Sequence, residues 1–311
     1  MNYIFGTGPL GMAVLRELLN RGQKVKVINR TGKADIPQGV ELIKGDARDR
    51  NFTKEICKDA EKIFHCAGLP YTEWSDHLPS MMNGLIEAAA FSGAKIIYAD
   101  NLYAYGPVNG DYHEDLSYKP VGVKTKVRAQ VAENLLNSHQ QGKIKAVIGR
   151  GPDFFGPRAL VATLGSRVIG NLLLGKKAEA IGNIDLPHTH IFIEDFARGL
   201  VTLSENDRSL GQVWHIPAAP TISTRELIEM VGDEIGKKPT YRLASSQIVN
   251  FLGLFDKNMR EFKEMMYMFN KPFIVSHAKF AKAFPYQVTE HREAIRKTVA
   301  WFRNIMGSGR V

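Results

Sequence analysis

Short apolar runs alternate with amphipathic stretches over the first half of the chain. They predict strands at 2–5, 24–29, 40–43, 62–65, 95–99 and 145–149, and helices at 11–20, 51–58, 78–92 and 124–141. Strand–helix alternation at this rhythm implies a parallel sheet covered on both faces. After Gly149 the rhythm breaks. Gly151-Pro152 and Gly156-Pro157 mark loops. Residues 159–175 read as helical, 178–181 as a short strand, 190–203 as strand then helix, and 212–216 as another strand. Helices dominate from 223 onward, at 223–235, 244–269, 277–283 and 289–306. The expected class is α/β: a Rossmann-type doubly wound parallel sheet with a smaller, mostly helical C-terminal substrate domain. The nucleotide domain takes residues 1–155, with 190–216 returning to it. The substrate domain takes 156–189 and 217–311.

The first strand ends in Gly6-Thr7-Gly8-Pro9-Leu10-Gly11, three glycines at GxGxxG spacing, and an amphipathic helix follows. In that context Gly6 makes the tight turn, Gly8 lets backbone approach a pyrophosphate, and Gly11 lets helix and strand pack closely. The helix N-terminus supplies N–H donors and a positive dipole end. The second strand ends at Asn29-Arg30-Thr31 with no carboxylate for a ribose 2′-hydroxyl. Arg30 is placed to meet a 2′-phosphate, with Asn29 and Thr31 as added donors. NADP is therefore expected over NAD, which the motif also accommodates. Asp46, in Gly45-Asp46-Ala47 after the third strand, is a candidate acceptor for the adenine amino group. Ala67-Gly68 after the fourth strand leaves room for the cofactor backbone.

Composition narrows the class. At 311 residues the chain can bury a sizeable core. Two cysteines, Cys57 and Cys66, make no disulfide framework, and a reducing cytoplasm is the expected setting. No apolar run has membrane-spanning length, and the chain enters a strand at once, without a signal-peptide pattern. The 41 basic and 32 acidic residues give a net charge of +9, scattered rather than clustered. That suits an anionic small-molecule substrate and gives nucleic acid no patch.

With Gly6–Gly11, several further pieces occur in order: Gly45-Asp46-Ala47-Arg48-Asp49, Ile63-Phe64-His65-Cys66-Ala67-Gly68, Asn83-Gly84, Tyr103-Ala104-Tyr105-Gly106, Arg150-Gly151-Pro152-Asp153-Phe154-Phe155-Gly156-Pro157, Ile193-Glu194-Asp195 and Thr298-Val299-Ala300-Trp301-Phe302. Together they resemble the extended short-chain dehydrogenase/reductase family, the NAD-dependent epimerase/dehydratase group. The resemblance implies an NAD(P)-dependent oxidoreductase or epimerase/dehydratase, with a nucleotide-sugar as the family's commonest substrate. It also implies a Ser or Thr four residues before Tyr105-Gly106, where this chain has Asn101. The family's Tyr and Lys come as YxxxK at the start of the next helix. Here Pro120 and Gly122 stand four residues before Lys124 and Lys126, and a register set from Ala132-Glu133 puts the pair on Thr125 and Ala129. No register holds both members.

The tyrosine is the family's acid/base, and the lysine lowers its pKa and binds the nicotinamide ribose. Lys124, Tyr103 and Asn101 are the candidate working residues, with Lys124 also a candidate for the ribose. Tyr118 is another possible substitute. Tyr103 lies where the family's dehydratases often carry a Glu base. Asp153 stands where relatives often have Asn, lining the cleft, and would act as a base if burial raised its pKa. His188 and His190 alternate but lack a third ligand, and are expected to hydrogen-bond rather than hold a metal. Tyr71-Thr72-Glu73-Trp74 is expected to face the nicotinamide end. Met259, Met265, Met266 and Met268, near Phe262, Tyr267 and Phe269, read as core or cleft wall. The degenerate motif leaves two other functions open: a non-catalytic NADP(H) sensor acting through a partner, and a lysine-dependent alkene or imine reductase. A homodimer through helices 78–92 and 124–141 is also open, unless their apolar faces are used on the sheet.

Overall fold

The computed structural model describes residues 1–245, 247–248, 251, 254–255, 260 and 262–307. Seven parallel strands form one sheet: β1 (Asn2–Phe5), β2 (Val25–Asn29), β3 (Glu41–Lys44), β4 (Lys62–His65), β5 (Lys95–Asp100), β6 (Lys145–Arg150) and β7 (Val213–His215). Their order across the sheet is β7-β6-β5-β4-β1-β2-β3. The chain winds outward from β1 to β3, then returns to the other side of β1 for β4. Between β1 and β4 the two windings diverge, and this leaves a crevice at the strands' C-terminal ends.

Alternation along each strand divides the core. Tyr3 and Phe5 of β1, with Ile63, Ile96, Tyr98 and Ile148, face α3 (Trp74–Ser92) and α4 (Val123–Gln140). Ile4, Val27, Phe64, Ile97 and Val147 face α1 (Pro9–Asn20) and α5 (Ile193–Glu205). Each apolar side chain sealed this way contributes about 1.5–3 kcal/mol. A short helix, α2 (Arg50–Ile56), starts where Asp49 accepts from the Asn51 and Phe52 amides at 3.0 Å each.

A third apolar cluster joins Phe155, Leu164, Val168 and Ile169 to α6 (Thr224–Ile235) and α7 (His291–Gly307). A fourth lies over the sheet's C-terminal edge. There Leu102, Tyr105 and Tyr112 pack against Met265, Met268, Phe269, Phe273 and Val275.

Of the helix expected over 244–269, the described residues at 247–248, 251, 260 and 262 are helical, and those at 254–255 lie in a turn. Tyr241–Ala244 is a strand paired with Ala178–Ile181, Lys263–Met265 is a 3₁₀ turn, and Tyr267–Asn270 is a single helical turn. Long-range pairing and the fourth cluster determine these pieces rather than their own period. Part of that expected helix, Met259 included, lies outside the described residues. The expected helix over 159–175 is reduced to a π-turn at Gly165–Gly170 and one helical turn at Asn171–Leu173.

Candidate active site

The glycine turn is built by close approach. Gly6 has φ 106°, and a Cβ there would lie 2.7 Å from the Ala67 Cα. A Cβ on Gly11 would overlap the Gly6 carbonyl oxygen, whereas Gly8 faces open space. Pro9 occupies the first turn of α1, and no side chain caps that helix. Its leading N–H groups are thus left for an anion.

A cavity of about 320 Å³ opens above this turn. It is bounded by Gly6, Thr7 and Gly8, by Asn29, Arg30 and Thr31, by Asp46 and Ala47, and by Ala67 and Gly68. Those are the expected cofactor residues, except that Pro9, Leu10, Gly11 and Lys124 are not part of its wall. The Asn29 amide donates to Thr7 Oγ1 at 2.8 Å and to the Lys33 carbonyl at 3.0 Å, tying the β2 loop to the glycine turn. Arg30 is exposed at the rim. Asp46 is gripped by the Arg48 guanidinium at 2.6–3.0 Å, which holds its carboxyl below the ordinary range. Glu73 reaches toward the same Arg48 at 3.8 Å rather than toward the aromatic residues of its own loop. The uncapped helix, the bare Gly8 surface and the basic rim fit a dinucleotide phosphate.

Beyond the cavity, loops following β4, β5 and β6 converge. The Tyr71 and Tyr103 hydroxyls lie 3.0 Å apart. Burial pushes Tyr103 well above the ordinary phenol range, with the Tyr71 and Asp153 charges adding to it, and burial raises Tyr71 as well. Both phenols are therefore protonated at neutral pH. Asn101 Oδ1 accepts from the Tyr103 amide at 3.0 Å and closes the turn that presents that ring.

Lys124 is buried in the first turn of α4, with its Nζ 5.8 Å from the centre of the Tyr71 ring. Glu264 docks on this turn. Its carboxylate accepts from the Thr125 amide at 3.0 Å and the Lys124 amide at 3.3 Å, and its Oε2 is 3.5 Å from Lys124 Nζ. A Cβ on Gly122 would overlap that carboxylate. Thr125 Oγ1 accepts from the Gly122 amide at 2.8 Å, so its hydroxyl caps the helix rather than facing the cleft.

A buried ionic cluster lies beneath. Arg150 Nε donates to Asp100 Oδ2 at 2.9 Å, and its Nη2 donates to the Tyr118 hydroxyl at 2.8 Å. Tyr118 is the acceptor in that contact, so its own O–H remains available to donate. One turn beyond Lys124, Arg128 stacks 4.1 Å over Trp74 and donates to the Tyr98 hydroxyl at 2.6 Å and Asp100 at 3.2 Å.

Asp153 and His188 form a pair at 2.9 Å. Burial alone would raise Asp153, but the hydrogen bond and charge of His188, the charge of His190 and the Thr163 hydroxyl outweigh it and hold the carboxyl below its ordinary value. The condition set for Asp153 as a base, a raised pKa, is therefore not met. His190 bonds the Thr224 hydroxyl at 3.1 Å. Among the described residues no group of three His, Cys, Asp or Glu is placed to hold a metal ion.

The model of the NAD dependent epimerase/dehydratase family matches residues 4–216. The chain belongs to that family. Its fold is shared with solved members of the nucleotide-sugar enzymes. A UDP-glucose 4-epimerase from Thermus thermophilus, solved with NAD, matches with TM-score 0.77 and 20% identity over 97% of this chain and 99% of that one. A dTDP-glucose 4,6-dehydratase from Streptomyces venezuelae, solved with NAD, gives 0.81 and 17% over 99% and 98%. A UDP-N-acetylglucosamine 4-epimerase from Methanobrevibacter ruminantium gives 0.81 and 18% over 97% and 98%. No curated protein matches the chain by sequence. Among the described residues no helix is long and apolar enough to cross a membrane.

In this epimerase/dehydratase chain, sequence reasoning missed four contributors: Arg48, Arg128, Glu264 and the pairing of Asp153 with His188. Arg128 had a signal, since it follows Lys124 by one helical turn. Glu264 had none, because its contact spans the chain from α4 to the C-terminal part.

Proposed function

We propose that this chain is an NADP-dependent oxidoreductase or epimerase acting on a nucleotide-sugar-like substrate, with an active site that works without the Tyr of YxxxK. One observation carries the reading: a cavity formed over an uncapped helix N-terminus has Arg30, and no carboxylate, at the end of β2. The loop from Gly6 to Gly11 would hold the pyrophosphate, and Arg30, with Asn29 and Thr31 beside it, the 2′-phosphate. Asp46 and Ala47 would border the adenine, and Ala67 and Gly68 the cofactor backbone. Bound there, the dinucleotide would supply a hydride acceptor or donor.

The protein's own groups supply the rest. Lys124, 3.5 Å from Glu264, offers an ammonium donor to a ribose or a substrate anion. Tyr103 and Tyr71 are kept protonated by burial, and since one hydroxyl donates to the other, one O–H of the pair remains to donate to a substrate oxygen rather than remove its proton. Asn101 holds the turn that presents Tyr103. The epimerase and dehydratase relatives act on nucleoside-diphosphate sugars, and the net charge of +9 suits so anionic a ligand.

Calorimetry with NAD, NADH, NADP and NADPH on the full chain tests this. NADPH should bind more tightly than NADH, and Arg30→Ala should weaken NADPH about 10- to 100-fold while leaving NADH unchanged. Equal binding of the two by wild type would remove Arg30 from the site. Binding of none would end the enzyme reading.

A further inference from the structure

The ionic cluster beneath the cleft carries more positive than negative charge. Two guanidinium groups, Arg128 and Arg150, share the single carboxylate of Asp100. A buried charge without a counter-ion is unfavourable, so the surplus attracts an anion. Arg150 is fully enclosed, whereas Arg128 keeps 13% of its side-chain exposure. An anion from outside the cluster therefore has to come to Arg128.

Arg128 has donors to spare. Both of its hydrogen bonds, to the Tyr98 hydroxyl and to Asp100, come from Nη1. Among the described residues Nε is enclosed and has no partner. Nη2 has none there either, and it is not enclosed.

Direct contacts tie this guanidinium to the cleft. It stacks 4.1 Å over the Trp74 ring. That ring lies 4.9 Å from the Tyr71 ring and 6.1 Å from the Tyr103 ring, the pair whose hydroxyls meet at 3.0 Å. The Trp74 indole donates to the carbonyl of Leu69, a residue of the nucleotide cavity wall. One turn earlier on the same face of α4, Lys124 Nζ comes within 5.8 Å of the Tyr71 ring centre.

We infer that the open end of Arg128 receives a carboxylate of the substrate, so that the sugar taken by this site is an acidic one. This rests on the nucleotide-sugar reading above. The Nη2 and Nε hydrogens lie along one edge of a guanidinium, the edge that matches the two oxygens of a carboxylate. Nε is covered, so the contact begins at Nη2. The narrow opening suits a flat group of single charge rather than a branched diphosphate, whose seat is the α1 N-terminus. One carboxylate would bring the cluster to two cations and two anions. A hydroxymethyl group in its place could accept a hydrogen bond but would leave the surplus charge unanswered.

The test uses the full chain in the presence of NADPH. UDP-glucuronic acid and UDP-glucose differ in carrying a carboxylate or a hydroxymethyl group at one carbon. Calorimetry should show wild type binding the acid about tenfold more tightly. Arg128→Gln should lose that preference, by weakening the acid far more than UDP-glucose. It should still fold, because Asp100 keeps Arg150. Arg128→Lys holds the charge without the forked edge and should retain part of the preference. Equal binding of the two sugars by wild type overturns the inference with no variant needed, and so does a preference that survives in Arg128→Gln. If neither sugar nucleotide binds, the nucleotide-sugar reading fails and free glucuronate decides. It should raise the melting temperature of wild type above the value in glucose, and fail to do so in Arg128→Gln. No difference between glucuronate and glucose overturns the inference. An Arg128-dependent rise with inorganic phosphate but not with glucuronate overturns it as well.

Discussion

Arg150 donates to Asp100 across 2.9 Å with both side chains fully enclosed. The Arg150 guanidinium also lies between the Tyr105 and Tyr118 rings, 4.6 and 4.8 Å from their centres. Asp100 answers a second cation as well, Arg128 at 3.2 Å. One carboxylate thus bridges two guanidinium groups beneath the cleft. Removing a single member of a buried ion cluster leaves a charge without a counter-ion, at a cost of about 3–5 kcal/mol. Asp100→Asn should therefore lower the urea unfolding free energy by about that much. A loss under about 1 kcal/mol would show that water reaches the cluster.

Gly8 and Gly11 make a matched pair of probes. Gly8 has φ −67° and open space where a Cβ would go. Gly8→Ala should leave the melting temperature within about 2 °C of wild type and weaken NADPH binding at least tenfold, by placing a methyl where the pyrophosphate approaches. Gly11→Ala would drive its methyl into the Gly6 carbonyl, so it should lower the melting temperature by about 5 °C or more and abolish binding. Equal effects at the two positions would mean that the turn is not the phosphate seat.

Acid should unfold this protein through its buried imidazoles. Burial first, and the Arg128 charge second, push His65 down to about 3. Burial and Arg150 push His215 to about 3. Both are neutral in the native state, whereas the unfolded chain protonates them as pH falls below about 6.5. Their stability contribution is complete above that value, declines as pH falls, and is fully lost near 3. At pH 5 each should cost about 2 kcal/mol relative to pH 7.5. Among the described residues neither His65 ring nitrogen has a hydrogen-bond partner, and the ring stacks on Tyr98 with centroids 5.2 Å apart. His65→Phe keeps the stack and should remove about 2 kcal/mol of the loss, read from urea melts at the two pH values. An unchanged difference would show that native His65 takes up its proton as readily as it does in the unfolded chain.

Much of the sheet was legible because its strands are continuous apolar runs bounded by turns. The predicted 2–5, 62–65 and 178–181 coincide with the strands observed, and most others differ by a residue at one end. The glycine turn and the cavity wall were legible because both are local in sequence. What failed was non-local. Tyr241–Ala244 becomes a strand only by pairing with Ala178–Ile181, whereas Met265, Met268 and Phe269 are core as expected, packed against Tyr105 and Tyr112. The helix expected at 78–92 begins earlier, at Trp74, whose indole donates to the Leu69 carbonyl at 2.9 Å. Lys124 and Tyr103 were legible as polar groups near the cleft, but neither Glu264 nor His188 announces its partner locally.

The Glu264 contact also sets an order of completion. Every residue bordering the nucleotide cavity has been synthesised by Met81, and six of the seven sheet strands by Arg150. The carboxylate that seats the first turn of α4 leaves the ribosome long after both. A nascent chain thus has the residues of the cavity wall early and the carboxylate that seats the first turn of α4 late, so that turn lacks its Glu264 contact until residue 264 has emerged.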